Sequence, residues 1–130
     1  MTAQIRKYPI GTQDFKILRE GGFVYVDKTK FIEKLLNSHR QVFLSRPRRF
    51  GKSLFLSTLK YYFLGRKNLF EGLYISEVEK TWAEYPVFHI EFNLSEFLSI
   101  NDLHSVLNKN LTKLEALWGR DESEGNFGTR

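Results

Sequence analysis

The chain has 130 residues, a length that suits one domain, and its 42% apolar and 15% aromatic residues are enough for a packed core. This composition excludes an intrinsically disordered protein, and the absence of cysteine excludes disulfides and thiolate metal sites, which fits a cytoplasmic location. No apolar stretch approaches the ~18 uncharged residues of a membrane span, and the N-terminus lacks the apolar core of a signal peptide. We therefore expect no membrane partner.

The first elements are predicted from short local signals. Residues 14–20 can form two helical turns that end at a pair of glycines, and residues 23–26 form a short β-prone run. Asp27 can then cap a helix that carries one apolar stripe and ends near Asn37 and Ser38. Residues 25–29 could instead contact a nucleotide base, but a capped helix start already explains Asp27.

The next segment has the order strand, loop and helix. The apolar run 42–45 is followed by Arg-Pro-Arg-Arg-Phe-Gly-Lys-Ser and then by an apolar helix to about Leu64. A Gly-Lys-Ser triplet in this context indicates the second half of a phosphate-binding P-loop. Gly51 would permit close approach of the backbone, Lys52 would supply a cation, and Ser53 would supply an oxygen ligand for Mg²⁺. The simpler alternative is a turn that only enters a helix.

The loop departs from the general pattern, and its charge is unusual. The pattern G-x-x-x-x-G-K-[ST] requires glycine where this chain has Arg46, and Pro47 has no N–H to donate. The net charge is +5, from 20 Lys and Arg against 15 Asp and Glu. Four of those cations lie within seven residues, and without them the other 16 cations face 15 acids. The excess positive charge is therefore concentrated where phosphates would bind.

Beyond the P-loop helix, a capping-box pattern and an alternating run indicate two further elements. Ser76 and Glu79 match a capping box for a helix to about residue 85. Residues 87–93 alternate apolar and polar side chains and predict a strand. Glu91 on this strand is a candidate for the Walker B acid, with an ordinary second strand as the alternative. His89 is interpreted as a strand histidine and not as a metal ligand.

The C-terminal part is predicted to be one helix and a tail. Leucines and a valine recur at three- and four-residue steps through residues 101–118, which indicates an amphipathic helix that Gly119 ends. Residues 119–130 carry acids and glycines and are expected to be a disordered polar tail. Residues 1–118 would then be the N-terminal part of a P-loop domain.

Three motifs together resemble a known family. The string Arg-Pro-Arg-Arg-Phe-Gly-Lys-Ser-Leu, the upstream Tyr-Val-Asp-Lys-Thr at residues 25–29 and the Asp-Phe-containing segment 14–19 look like the N-terminal part of the predicted AAA-ATPase-like proteins of bacteria. The resemblance covers about residues 8–93. It implies a P-loop ATPase core in which arginine occupies the first loop position, often followed by a PD-(D/E)xK nuclease-like domain. Such a downstream domain would be the route to a nucleic-acid partner.

The fold class expected from these signals is α/β, a partial P-loop NTPase fold with three α/β/α layers and a parallel sheet. Because such a sheet needs more strands than these residues supply, we expect a truncated version of the fold. Its unpaired strand edges and uncovered helix faces would favour self-association.

The predicted function is binding of Mg²⁺-ATP or Mg²⁺-ADP. Hydrolysis also needs an acid that places Mg²⁺ and a group that orients water, so we expect binding without appreciable turnover. The residues predicted to hold the nucleotide, with Ser53 also as the Mg²⁺ ligand, are Arg46, Arg48, Arg49, Phe50, Gly51, Lys52, Ser53 and Leu54.

Two alternatives come from other classes of protein. In a nucleic-acid-binding or nuclease-associated module, the cations of this loop would neutralise a nucleic-acid backbone, with a steep dependence of affinity on salt. Because the positive charge is concentrated in one loop, the sequence favours a nucleotide over a nucleic acid as the ligand. A degenerate interaction module that binds no ligand is the other alternative.

Overall fold

A computed structural model describes residues 6–38, 41–92 and 99–119. The chain divides into two compact units, Met1–Val87 and Phe88–Arg130, and each is described here by itself. The described part of the first unit contains four α-helices and one 3-10 helix, and that of the second contains one α-helix. These elements are α1 (Phe15–Glu20), α2 (Lys30–Ser38), α3 (Lys52–Phe63), the 3-10 helix Lys67–Phe70, α4 (Tyr74–Val78) and α5 (Ile100–Trp118).

Helix α1 is short, and local hydrogen bonds define both of its ends. The Asp14 carboxylate accepts a hydrogen bond from the Ile17 N–H at 3.1 Å, which is the usual N-cap arrangement. The Gly21 N–H donates to the Ile17 carbonyl at 2.9 Å and closes the last turn. Because Phe15 and Leu18 are fully buried, the helix is held mainly by packing against α3. The structure confirms the glycine stop predicted from the sequence, whereas the Asp14 cap was not predicted.

The core of the first unit is a cluster of aromatic rings. The Phe70 ring lies 4.7 Å from that of Phe15 and 5.2 Å from that of Trp82, measured between centroids. The Tyr62 ring packs against Phe70 at 6.2 Å and its hydroxyl donates to the Glu79 carboxylate at 2.6 Å. Burial, and then this hydrogen bond, raises the pKa of Tyr62. The cluster therefore joins α1, α3 and the 3-10 helix into one body.

A second set of polar contacts joins α2 to α4. The Asp27 carboxylate accepts hydrogen bonds from the Thr29 N–H at 2.8 Å and from the Tyr74 N–H at 2.7 Å. The buried Thr29 hydroxyl accepts from the Ile75 N–H at 3.1 Å. Asp27 therefore satisfies N–H groups at the starts of both helices, so its carboxylate is occupied by structural contacts.

The charge of Asp27 contributes to stability in a defined pH range. Partial burial disfavours the carboxylate, but hydrogen bonds from Tyr74 and Thr29 outweigh this and lower the pKa of Asp27. A lowered pKa in the folded state stabilises the protein above the unfolded value of about 3.9, and this contribution is lost as pH falls through the folded-state pKa. We expect Asp27→Asn to lower the unfolding midpoint at pH 6 and the difference from wild type to shrink below about pH 4.

Thermal unfolding between pH 6 and pH 2.5 measures this prediction. Glu71→Gln, which removes an exposed carboxylate from the same unit, is the control and should follow the wild-type curve. A gap between Asp27→Asn and wild type that stays constant over the whole range would contradict it.

The predicted parallel sheet is absent from the described residues, so the α/β fold class expected from the sequence is wrong for this structure. None of the three predicted strands, 23–26, 42–45 and 87–93, is formed in the described residues, which leave out Asn93 of the third. Single hydrogen bonds, such as Val24 N–H to the Lys7 carbonyl at 2.9 Å, take the place of a ladder. An extended apolar run becomes a strand only where a second segment offers a complementary row of N–H and C=O groups. Phe43, in the middle of one such run, is 92% exposed.

Two smaller expectations also need correction. Ser76 and Glu79 do not form a capping box, because α4 has already begun at Tyr74 and Glu79 lies at its C-terminal end. The Ser76 hydroxyl instead donates to the Leu73 carbonyl at 2.6 Å. Helix α3 has apolar side chains on almost every face, which predicts burial between two layers, yet its Leu56 is 49% exposed.

The second unit contains α5, which begins one residue before the predicted start. The Ser99 hydroxyl accepts from the Asp102 N–H at 3.3 Å, and the Asp102 carboxylate accepts from the Ser99 N–H at 2.8 Å. This reciprocal pair is a capping box. The helix ends before Gly119, as predicted, and residues 120–130 of the expected tail lie outside the described residues.

Candidate functional site

The loop before α3 contains two residues with positive φ. Gly51 is the N-cap of α3 and has φ +78°, and Arg49 has φ +65°, so two nearby residues adopt the left-handed conformation. A turn that alternates in this way directs successive N–H groups to one side, and a helix N-terminus adds further free N–H groups. Residues 46–53 are all exposed. The cations of the loop therefore lie at exposed positions beside the start of α3.

The side chain of Lys52 folds back over the loop. Its Nζ donates a hydrogen bond to the Arg46 carbonyl at 2.5 Å, and Arg46 Nη1 donates to the Phe50 carbonyl at 3.4 Å. Both contacts are exposed and both use carbonyl acceptors within the loop. An ammonium held in this way can exchange a neutral carbonyl for a phosphate oxygen, which is the stronger acceptor.

The remaining predicted residues lie on the same segment. Arg48 and Phe50 are exposed, with the Phe50 side chain 62% accessible, and Ser53 is exposed in the first turn of α3. Leu54 is partly buried and packs against the core, so it anchors the helix start and is less available to a ligand. The structure thus brings the cations, Gly51 and Ser53 together at one helix N-terminus.

The residues around Gly51 and Ser53 offer few ligands to a metal ion. A Cβ at Gly51 would meet no atom within 4 Å, so the loop is open on that side, although φ +78° strains any other residue. The described residues contain no cluster of three His, Asp or Glu side chains that could hold a metal ion by themselves. A site with one serine oxygen fits Mg²⁺ that arrives with phosphate and keeps several of its own waters.

Helix α3 is fixed below this loop by contacts that the sequence did not reveal. The Phe15 N–H donates to the buried Ser57 hydroxyl at 3.0 Å, and the Tyr61 hydroxyl donates to the Asp14 carboxylate at 3.3 Å. Ser53, Ser57 and Tyr61 recur every four residues and share one face of the helix. That spacing is the only sequence signal for these positioning contacts.

The candidate acid Glu91 lies in the second unit. Its side chain is 81% exposed, and its Oε1 is 3.4 Å from Nε2 of His89. His89 therefore has a carboxylate neighbour two residues further along the chain. A role for Glu91 in catalysis stays a prediction.

A cavity that the sequence did not predict adjoins the loop. It has a volume of about 530 Å³, and Arg46 and Gly51 contribute to its lining. Tyr25 and Phe31 contribute to its wall.

None of the helices in the described residues has the length and the apolar character that a membrane span requires.

Comparison with known proteins identifies relatives in sequence but not in structure. The chain is 40% identical over 128 residues to a protein of Azotobacter chroococcum mcd 1 described as "Uncharacterized protein in vnfD 5'region". That match covers 95% of this chain and 25% of the relative, so the chain spans about a quarter of the relative's length. No solved structure matches. The family described as "Predicted AAA-ATPase" matches residues 9–130, and the chain therefore belongs to this AAA-ATPase-like family.

Proposed function

We propose that the first unit binds a nucleoside triphosphate or diphosphate, with Mg²⁺, through residues 46–54. The observation that carries this proposal is the left-handed Gly51 at the N-terminus of α3, next to Lys52 and Ser53. Backbone N–H groups and the helix dipole favour negative charge at this point. Membership of the AAA-ATPase-like family supports the choice of a nucleotide as the source of that charge.

Five residues of the loop contribute to binding in different ways. Gly51 lets the backbone approach the phosphates, and Lys52 exchanges the Arg46 carbonyl for a phosphate oxygen. Arg48 and Arg49, both in the exposed loop, add positive charge near the outer phosphates. Ser53 would hold Mg²⁺, which when bound neutralises part of the phosphate charge.

The distribution of charge favours a small anionic ligand over a nucleic-acid backbone. Four cations lie in residues 46–52, while the other 16 cations are balanced by 15 acids along the chain. A nucleic-acid backbone would be contacted by cations spread along a face. A nucleotide presents its charge within one phosphate chain, which matches one loop.

Titration with a fluorescent ATP analogue in the presence of Mg²⁺ tests the role of Lys52. Because hydrogen bonds to charged groups contribute about 1.5–3 kcal/mol, we expect Lys52→Ala to raise the Kd about 10- to 150-fold. Lys52 is exposed, so the folded structure should persist, which circular dichroism would verify.

Lys67→Ala is the matched control, because it removes the same charge from an exposed position beyond the opposite end of α3. At 1.5 Å per residue, the 12 residues of α3 separate the two lysines by roughly 18 Å. The control should bind like wild type. Equal affinity of wild type and Lys52→Ala for the analogue would contradict the proposed site.

A further inference from the structure

The first turn of α3 carries Ser53, the proposed Mg²⁺ ligand, and is largely exposed. Residues 51–53 are exposed, and the first buried side chains along the helix are those of Ser57 and Thr58. At 1.5 Å per residue, Ser57 lies one turn, about 6 Å, beyond Ser53. Ser57 is therefore the buried polar side chain of α3 that lies nearest to the phosphate loop.

The start of α1 supplies the partners of this side chain. The Phe15 N–H donates to the Ser57 hydroxyl at 3.0 Å, and that hydroxyl donates to Asp14 Oδ2 at 3.5 Å. The Tyr61 hydroxyl, one turn further along α3, donates to the same Asp14 oxygen at 3.3 Å. The other oxygen, Asp14 Oδ1, accepts from the Ile17 N–H and caps α1. One carboxylate therefore contacts two helices, with one oxygen for each.

These contacts restrict the rotation of α3 about its own axis. Ser53, Ser57 and Tyr61 lie four residues apart, so they follow one another along one side of the helix. Burial, followed by the charge of Asp14, raises the pKa of Tyr61, so its hydroxyl stays protonated and remains a donor at neutral pH. Two hydroxyls bound by one carboxylate therefore set the direction in which this side of α3 faces.

We propose that Asp14 is a positioning residue for the Mg²⁺ that accompanies the nucleotide, because it holds α3, through Ser57 and Tyr61, in the rotation at which Ser53 faces the metal. This inference rests on the proposed function, in which Ser53 is the oxygen ligand of Mg²⁺. The octahedral geometry of Mg²⁺ tolerates little displacement of a ligand, so a small rotation of the helix weakens this contact. The free N–H groups at the helix N-terminus point along the axis, so a rotation about that axis changes their binding of phosphate much less.

Titration of Asp14→Ser with the fluorescent ATP analogue, once in Mg²⁺ and once in EDTA, tests the inference. Serine caps a helix about as well as aspartate, so α1 keeps its cap, while the carboxylate that binds the two hydroxyls of α3 is removed. For wild type, we expect Mg²⁺ to lower the Kd at least about tenfold, which is the effect of one contact with a charged group. For Asp14→Ser, Mg²⁺ should lower the Kd less than about threefold, and the Kd in EDTA should stay within about twofold of wild type.

Glu20→Ser is the matched control, because it removes a carboxylate from the other end of α1, where Glu20 lies 3.9 Å from Lys16. Its Kd in each solution should equal that of wild type. Tyr61→Phe removes one of the two hydroxyls and keeps the ring, so it should lose part of the effect of Mg²⁺. This second variant decides the question if Asp14→Ser does not fold.

The outcomes separate the positioning role from the proposed function. If Mg²⁺ lowers the Kd equally in wild type, Asp14→Ser and Tyr61→Phe, the positioning role is refuted while the phosphate site stands. The same conclusion follows if the Kd of the variants rises as much in EDTA as in Mg²⁺, or if Mg²⁺ does not change the Kd of wild type. If wild type binds the analogue in neither solution, the proposed function itself is refuted, and the positioning role with it.

Discussion

Gly51→Ala is expected to raise the Kd for Mg²⁺-nucleotide at least about tenfold and to lower the unfolding free energy by about 1–2 kcal/mol. Gly51 has φ +78°, a conformation that an L-residue adopts only with strain. A variant that relaxes this strain must rotate the peptide groups on either side of the residue. The N–H groups that the loop presents to an anion would then point elsewhere, so stability and binding should fall together.

Gly72→Ala separates these two effects. Gly72 has φ +74°, and a Cβ there would likewise meet no atom within 4 Å, so the strain should be of the same size. It lies between the 3-10 helix and α4, outside residues 46–54. We expect a similar loss of stability in urea denaturation but an unchanged Kd for the ATP analogue. If both variants lose affinity to the same extent, backbone strain alone accounts for the result and Gly51 has no special part in binding.

Phe70→Ala is expected to cost about 3–5 kcal/mol of unfolding free energy, which is a large fraction of the stability of a domain of this size. Phe70 is fully buried, and its ring contacts those of Phe15, Tyr62 and Trp82. Truncation removes these contacts and leaves a cavity between α1, α3 and the 3-10 helix. Chemical denaturation followed by circular dichroism would measure the shift of the midpoint.

Phe43→Ala provides the comparison, since it is the same substitution at a side chain that is 92% exposed. Its midpoint should stay within about 0.5 kcal/mol of wild type, as for most surface substitutions. Equal destabilisation by the two variants would mean that the aromatic cluster around Phe70 is not the core of the first unit.

Features encoded by a few neighbouring residues could be predicted from the sequence. The stop at Gly21 and the start of α3 after Gly51 each depend on hydrogen bonds within about four residues. The family and the end of α5 at Gly119 were also predicted from the sequence. The capping-box pattern at Ser76 nevertheless predicted a helix that is not formed. Helix α4 begins earlier, at Tyr74, and the Ser76 hydroxyl donates to the carbonyl of its N-cap residue Leu73.

Only the tertiary structure decided which distant groups meet. Arg19 donates to the carbonyls of Leu69, at 2.7 Å, and Glu71, at 2.6 Å, some 50 residues away, and nothing in its local sequence indicates those acceptors. The cavity that Arg46 and Gly51 line likewise combines residues of α1, α2 and α3 with residues of the segments around them. Such contacts depend on how the helices pack, which a local pattern does not encode.

The sequence by itself determined helices α1, α2, α3 and α5 and the position of the candidate phosphate loop, because helix hydrogen bonds and caps connect near neighbours. It did not determine whether the apolar runs 23–26 and 42–45 form strands, since a strand requires a partner from elsewhere in the chain. In the described residues these runs form no strand, while the buried aromatic side chains pack between helices. Tertiary packing therefore decided that the core is helical.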